Sequence, residues 1–350
     1  MSDHYFERVR EATGFRLWVN NPTLEELTLA LRHGAMGCTT NPSYGGNLVK
    51  RAPSQVLPIV EECLRQSDDD EAVADLVQRR LVARICEGFL PLYERSEGRE
   101  GFVSIQGAPE ADSDAAVILE EARIARAIAP NATPKIPATR PGLEALEAIV
   151  TEGSQVIVTE VFSLAQVIEV CERWQGVTDR TGVRPPFMMS PITGIFGDHL
   201  KKLARRDGLD IPDEAMELAG VLVARACYRL VRERGYPVML LYGGARIDLD
   251  FSGLIGDGMA ATINWSTAAQ LIEADRPAQA TVEDTIDPAV ARRLVDTFLE
   301  VRQALDPVGL SLDDFEGFGP VQHFRDNFIA GWDTVREMIA TARTGMSAAS

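Results

Sequence analysis

The chain has 350 residues, 45% hydrophobic and 25% charged, which is typical of a globular protein. Its net charge of −17 argues against nucleic acid as a partner, because phosphate backbones repel an acidic surface. The five cysteines lie scattered without CxxC spacing and the four histidines form no cluster, so we expect no disulfide framework and no metal. With no apolar leader and no run of about 18 apolar residues, the sequence predicts a cytoplasmic protein without a membrane span.

Eight short apolar segments predict β-strands, and amphipathic helical patterns separate them. The segments are residues 15–19, 36–40, 101–105, 132–138, 155–162, 186–192, 237–242 and 260–265. Strands alternating with helices predict a parallel sheet of the α/β class, and eight units favour closure into a (β/α)8 TIM barrel. An open doubly wound sheet is the main alternative, but no Gly-rich phosphate loop follows the first strand.

Two helical additions interrupt this rhythm. One is an insertion at about residues 43–100, and the other is a C-terminal extension at about residues 288–345. We expect residues 1–350 to form a single barrel domain that carries both.

Polar residues stand at or just after the ends of the predicted strands. They are Asn20, Thr39, Asn41, Ser104, Gln106, Lys135, Thr159, Ser190, Arg246 and Asn264. Because a barrel gathers the carboxyl ends of its strands around one pocket, the set predicts a single functional site.

Lys135 is the most informative of these residues, because it lies inside an apolar strand in the segment PKIP. A lysine there often only extends its amine to solvent. The alternative is an amine kept in a low-dielectric site, where it loses its proton readily and attacks a carbonyl. The segment alone leaves both interpretations open.

Five segments resemble the strand signatures of the transaldolase family, and the likeness runs from about residue 15 to about residue 340. The segments are TTNPS (39–43), VSIQ (103–106), KIPATRPGLEAL (135–146), VTEVFSLAQ (158–166) and SPITG (190–194). The resemblance implies a (β/α)8 barrel without a cofactor. It also implies transfer of a three-carbon dihydroxyacetone unit between sugar phosphates through a lysine Schiff base, as in the pentose phosphate pathway.

The resemblance assigns Lys135 to the Schiff base and Thr159 to the water that shuttles protons. It places Asn20 and Gln106 where the family carries an aspartate and a glutamate that move protons. An amide has no proton to exchange near neutral pH. We expect both amides within hydrogen-bonding reach of the Lys135 amine or of one shared water. With no carboxylate beside the amine, desolvation should lower its pKa.

Substrate binding is assigned to five residues: Asn41 and Ser190 for hydroxyls of the three-carbon unit, Thr39 and Ser104 beside them, and Arg246 for the acceptor phosphate. Two phosphate partners of the family are missing. Ile195 stands in place of an arginine and Gly244 in place of a serine. We therefore expect a weaker preference for phosphorylated acceptors.

Other groups are candidates to replace the two acids. Strand alternation predicts that Glu160 points away from the pocket, Tyr242 is a candidate phenol donor, and Asp198 and His199 are expected to be a helix cap and a surface residue.

Three functions remain open: a divergent transaldolase, an aldolase with an unusual acceptor in secondary metabolism, and a non-catalytic relative that binds sugar phosphates. The expected partners are small sugar phosphates or aldehydes, and a homo-oligomer remains open.

Overall fold

Eight parallel strands close into a barrel in the computed structural model, which describes residues 4–349. Each strand pairs with its two neighbours in chain order, and the eighth pairs with the first. The strands are β1 (Arg16–Asn20), β2 (Gly37–Thr39), β3 (Val103–Ile105), β4 (Ala132–Pro137), β5 (Val156–Val161), β6 (Phe187–Pro191), β7 (Met239–Tyr242) and β8 (Met259–Ile263). The predicted (β/α)8 TIM barrel is confirmed.

Helices surround the barrel and cover its ends. They are α1 (Tyr5–Thr13), α2 (Leu24–Arg32), α3 (Tyr44–Arg51), α4 (Pro53–Leu64), α5 (Asp70–Arg95), α6 (Ala115–Ile128), α7 (Arg140–Thr151), α8 (Leu164–Thr181), α9 (Gly194–Asp207), α10 (Asp213–Arg234), α11 (Leu249–Ser252), α12 (Trp265–Ala274), α13 (Pro288–Thr297), α14 (Leu299–Leu305) and α15 (Gly319–Ala349). A short 3-10 helix spans Pro109–Ser113. None of the helices within residues 4–349 is long and apolar enough to cross a membrane.

The helix boundaries follow from local chemistry. Thr23 caps α2: its hydroxyl accepts from the Glu26 backbone N–H at 3.2 Å, and Glu26 Oε2 accepts from the Thr23 N–H at 2.9 Å. This reciprocal pair satisfies two N–H groups that the first turn leaves unpaired. At the start of α7, Pro141 occupies the first turn, where its missing N–H is tolerated.

A cluster of apolar side chains fills the barrel interior below the carboxyl ends of the strands. Its buried members are Trp18, Met36, Phe102, Ile157, Met188, Leu241 and Ala260. A Cβ at Gly37 would lie 2.4 Å from Trp18 Cε2, so the indole requires glycine on the neighbouring strand. The packed interior confines polar chemistry to the upper end of the barrel.

The C-terminal helix α15 crosses that upper end and packs against α3, α5 and α9. Two of its side chains hold it to the start of α5. Trp332 Nε1 donates to Glu71 Oε1 at 2.8 Å, and Arg336 Nε donates to Glu71 Oε2 at 2.7 Å. This anchoring brings the N-terminal half of α15 over the barrel mouth.

Candidate active site

A cavity of about 620 Å³ opens at the carboxyl ends of the strands. Seven of the predicted strand-end residues line it, namely Asn20, Thr39, Asn41, Lys135, Ser190, Arg246 and Asn264. Residues of α15 complete the wall, with Phe324, Asn327 and Phe328 facing the strand ends. The strand-end residues therefore converge on one pocket, which is partly roofed by a helix from the far end of the chain.

Lys135 is the only lysine on the barrel strands that the structure describes, and it is 8% exposed. Its Nζ lies 5.8 Å and 5.6 Å from the ring centroids of Phe324 and Phe328. Burial lowers the pKa of this amine from 10.5 to about 8, and the carboxyls of Glu160 and Asp112 oppose the shift. The amine points into the cavity, and a substantial fraction of it is neutral and nucleophilic near physiological pH.

One side of the cavity is built from neutral groups, which we call the amide network: Asn20, Thr39, Thr262 and Asn264. Asn20 Nδ2 donates to Asn264 Oδ1 at 3.0 Å, and Thr39 Oγ1 donates to Asn20 Oδ1 at 3.0 Å. The hydroxyls of Thr39 and Thr262 lie 2.7 Å apart. Every bond in this network joins amides and hydroxyls, so it binds hydroxyl groups well but offers no acid.

A carboxyl that strand alternation directs elsewhere lies buried beside Lys135, outside the cavity lining. Two residues of β5, Thr159 and Glu160, lie opposite Ser190 of β6, because the register shifts between Val158 and Val161. Glu160 has φ +63°, a left-handed conformation that is strained for a non-glycine residue. Glu160 stays out of the cavity lining, but this bulge turns its side chain toward Gln106 at the end of β3, where its charge acts on Lys135.

The side chain of Gln166 holds the bulge. Its Nε2 donates to the Glu160 carbonyl at 2.8 Å and to the Ala138 carbonyl at 3.1 Å, while its Oε1 accepts from the Phe162 N–H at 2.8 Å. These bonds satisfy backbone groups that the interrupted ladder leaves unpaired. The SLAQ segment therefore fixes the orientation of Glu160.

Gln106 joins Glu160 to a second acid, and we call Gln106, Asp112 and Glu160 the carboxyl cluster. Gln106 Nε2 donates to Glu160 Oε1 at 3.2 Å and to Asp112 Oδ2 at 3.4 Å. Burial raises the pKa of Glu160 to about 7, with Arg325 and Lys135 opposing the shift. Burial also raises the pKa of Asp112 well above its usual range, and the Glu160 carboxyl adds to that shift. The expected loss of carboxylates beside Lys135 is corrected: Glu160 lies on β5, next to the strand that carries Lys135.

Gln106 and Asn20 do not bond Lys135 directly, since its amine has no hydrogen bond or ion pair with any residue in the described range. Gln106 Oε1 and Thr159 Oγ1 are buried atoms without a partner in the described part of the chain. Ser104 lies outside the cavity wall, because its Oγ accepts from the Thr40 N–H at 3.2 Å and donates to the Thr40 carbonyl at 3.3 Å. Its hydroxyl ties β3 to the end of β2.

The corner of the cavity around Arg246, which the family resemblance assigns to the acceptor phosphate (the phosphate corner), is partly apolar. Arg246 Nε donates to Asp198 Oδ2 at 2.8 Å, and its Nη1 donates to the Ala245 carbonyl at 3.1 Å. A Cβ at Gly244, which has φ +70°, would lie 2.7 Å from Ile192 Cγ2 and 3.1 Å from Ile195 Cδ1. Apolar side chains thus occupy the corner beside the guanidinium, and part of its charge is already paired.

The other candidate acids lie elsewhere. Tyr242 is buried and its hydroxyl donates to Met259 Sδ at 3.3 Å. Asp198 belongs to the Arg246 pair, and its side chain makes no cap bond at the start of α9. His199 is buried near Glu300, 3.9 Å away, so the expectation of a surface residue is wrong.

Three site residues escaped sequence reasoning: Asp112, Phe324 and Phe328. Asp112 stands in the acidic loop PEADSD, which resembles ordinary surface. The phenylalanines stand four residues apart in HFRDNF, so one helix face presents both, but nothing local shows that they pack above Lys135.

Comparison with known proteins gives a consistent result. A family model described as Transaldolase/Fructose-6-phosphate aldolase matches residues 17–310. A transaldolase of Neisseria gonorrhoeae is 28% identical over 232 residues, which are 63% of this chain and 64% of the relative. A transaldolase of Thiobacillus denitrificans is 31% identical over 176 residues, 46% of this chain and 47% of the relative. A transaldolase of Mycobacterium bovis is 26% identical over 242 residues, 63% of each chain.

The chain thus spans just under two thirds of the length of the relatives from Neisseria gonorrhoeae and Mycobacterium bovis. The family match itself reaches from β1 through all later strands to α14 and contains every strand-end residue of the cavity. The closed barrel and the family match agree with the resemblance seen in the strand segments, and the chain belongs to the transaldolase/fructose-6-phosphate aldolase family.

Proposed function

We propose that the protein is a transaldolase-type enzyme that forms a Schiff base between Lys135 and a three-carbon ketone unit. The observation that carries the proposal is the Lys135 amine, which lies in the barrel-mouth cavity with its pKa lowered to about 8. A buried lysine without an ion pair is an expensive group to keep in a fold, and it is a useful nucleophile.

The chemistry follows from the neutral amine. It adds to the ketone carbonyl, and loss of water leaves an iminium that accepts electrons from the neighbouring C–C bond. Cleavage releases an aldehyde, and the three-carbon unit stays on Lys135 until a second aldehyde accepts it. Asn41 and Ser190 are placed to bind hydroxyls of that unit, since both line the same cavity.

A second candidate function differs from the first only in its acceptor. Ile195 and Gly244 remove two polar partners from the phosphate corner, and Asp198 competes for Arg246. This observation supports the second candidate, an aldolase-type transferase whose acceptor carries no phosphate. The first candidate belongs to carbohydrate metabolism and the second to secondary metabolism, and both share the Lys135 adduct.

The test is borohydride reduction with dihydroxyacetone, dihydroxyacetone phosphate or fructose 6-phosphate, followed by peptide mass analysis. We expect a reduced three-carbon adduct on Lys135 at pH 8, and none in Lys135→Met. Labelling only above about pH 10, near the reference lysine value, would contradict a depressed pKa. A saturable thermal shift without any adduct would indicate a sugar-phosphate-binding protein instead.

A further inference from the structure

We infer that Glu160 and Asp112, bridged by Gln106, form the proton-exchanging pair for the chemistry at Lys135. The inference deepens the proposed function and rests on it. It assigns a task to two acids that lie on different elements, Glu160 on the β5 bulge and Asp112 in the 3-10 helix after β3.

Neither an ion pair nor favourable packing explains why the two carboxyls are buried. Within residues 4–349 neither Glu160 nor Asp112 forms an ion pair, although both are buried. Glu160 also requires a strained backbone conformation to face Gln106. Buried carboxyls that share one amide donor and no cation are unfavourable for folding, and such groups concentrate at functional sites.

The surroundings of the pair favour one shared proton. Lys135 and Arg325 contribute positive charge, and Glu316 contributes negative charge from the far side of Arg325. Arg325 is itself held by Glu316, with Nη1 to Oε1 at 2.8 Å. Two like-charged groups this close do not ionise together easily, so near neutral pH the pair both gives and takes a proton.

Schiff-base formation needs such a group. When the Lys135 nitrogen bonds to the carbonyl carbon, the C=O π electrons move to oxygen and a proton passes from nitrogen to that oxygen. The protonated pair then gives a proton to the resulting hydroxyl. The C–O bond breaks, water leaves, and the nitrogen lone pair forms the C=N bond of the iminium. The pair is left as a carboxylate, and hydrolysis runs the same transfers in reverse.

A route for the proton lies beside the pair. Thr159 stands two residues beyond Ile157, which pairs with Lys135, so alternation sets Thr159 on the same side of the sheet as the amine. Its Oγ1 and Gln106 Oε1 are two of the buried acceptors that have no partner in the described part of the chain. A solvent molecule bonded to either atom connects the pair to the reacting oxygen.

The experiment compares rates of borohydride-trapped adduct formation with dihydroxyacetone across pH 5–9, using full-length protein. In the native protein the rate per neutral Lys135 amine should fall above about pH 7, where the pair loses its proton. Glu160→Gln should slow labelling about a hundredfold or more, the usual contribution of a general acid, and should remove that fall. The exchange variant Gln106→Glu/Glu160→Gln keeps a carboxyl bonded to an amide, and should recover at least tenfold.

Two further variants keep the test valid even where Glu160→Gln does not fold. Asp112→Asn removes a like charge and should move the alkaline fall to lower pH. Arg325→Gln removes a cation and should move it to higher pH. A merely structural contribution of the cluster would change the unfolding midpoint and leave these shifts absent.

The outcomes separate the two proposals. If native protein labels Lys135 while Glu160→Gln matches its rate within threefold and keeps the same pH profile, the inference is wrong and the proposed function stands. If native protein does not label Lys135 with any of the three ketones, both are wrong.

Discussion

The amide network lines the barrel-mouth cavity, the carboxyl cluster lies buried beside Lys135, and each begins with an amide at a position where the family resemblance implies an acid. At Gln106 the acid is present nearby, because the amide donates to Glu160 and Asp112. At Asn20 the neighbours are Asn264 and Thr39, which are neutral. The acid-to-amide exchange at Gln106 is therefore accompanied by a relocated carboxyl, whereas the exchange at Asn20 removes the carboxyl altogether.

This difference should affect two steps of the reaction unequally: formation of the Lys135 adduct and cleavage of the C–C bond. In our proposal the carboxyl cluster serves addition and dehydration at Lys135. Cleavage of the C–C bond also needs a base for the hydroxyl proton of the leaving aldehyde, and the amide network holds none. We therefore expect easy formation of the Lys135 adduct and slow exchange of ordinary sugar phosphates.

The largest effect is expected from placing an acid in the amide network. Asn20→Asp should speed release of glyceraldehyde 3-phosphate from fructose 6-phosphate by about 10²-fold or more, because it supplies a general base. Asn264 is exposed and free to turn its amide toward the new carboxylate. Asn20→Ser is the matched control and should show no gain. A gain below threefold for Asn20→Asp would contradict a missing base on this side.

An intermediate effect concerns stability and the carboxyl cluster. The folded-state pKa of Glu160, about 7, lies above its reference value of 4.5, so the folded protein binds more protons between these values. Its contribution to stability is present below about pH 4.5 and is lost as pH rises through 7. Relative to native protein, Glu160→Gln should gain about 1–3 kcal/mol between pH 5 and pH 8.

Urea unfolding at the two pH values measures this difference, and Glu120→Gln on the exposed side of α6 serves as a control. Equal differences from native protein at both pH values would show that Glu160 titrates as an ordinary carboxyl.

The smallest effect is expected at the phosphate corner. Asp198→Asn should free the Arg246 guanidinium and raise the preference for erythrose 4-phosphate over erythrose as acceptor. Exposed ion pairs contribute up to about 1 kcal/mol, so the gain should stay within about fivefold. Arg246→Ala should change the preference in the opposite direction. A native preference above about 10⁴-fold would contradict our description of this corner as weakened.

The sequence predicted the barrel because hydrophobic periodicity and strand order are local properties, and strand-end polar residues converge wherever a barrel closes. Lys135, Asn20 and Arg246 could be assigned to the site on that basis. Glu160 could not, because its direction depends on a bulge held by Gln166 from the next helix. Asp112 is positioned by a single turn of 3-10 helix, and Phe328 reaches Lys135 from 193 residues further along the chain. Alternation rules describe regular strands and say nothing about such contacts.

The central claim is that acid–base chemistry at Lys135 belongs to the carboxyl cluster and not to the amide network. The most direct measurement is the rate of borohydride-trapped labelling of Lys135 by dihydroxyacetone at pH 7 in Glu160→Gln and Asn20→Ser, side by side with native protein. Our account predicts a loss of about a hundredfold or more for Glu160→Gln and less than threefold for Asn20→Ser. Equal losses, or a larger loss for Asn20→Ser, would contradict it.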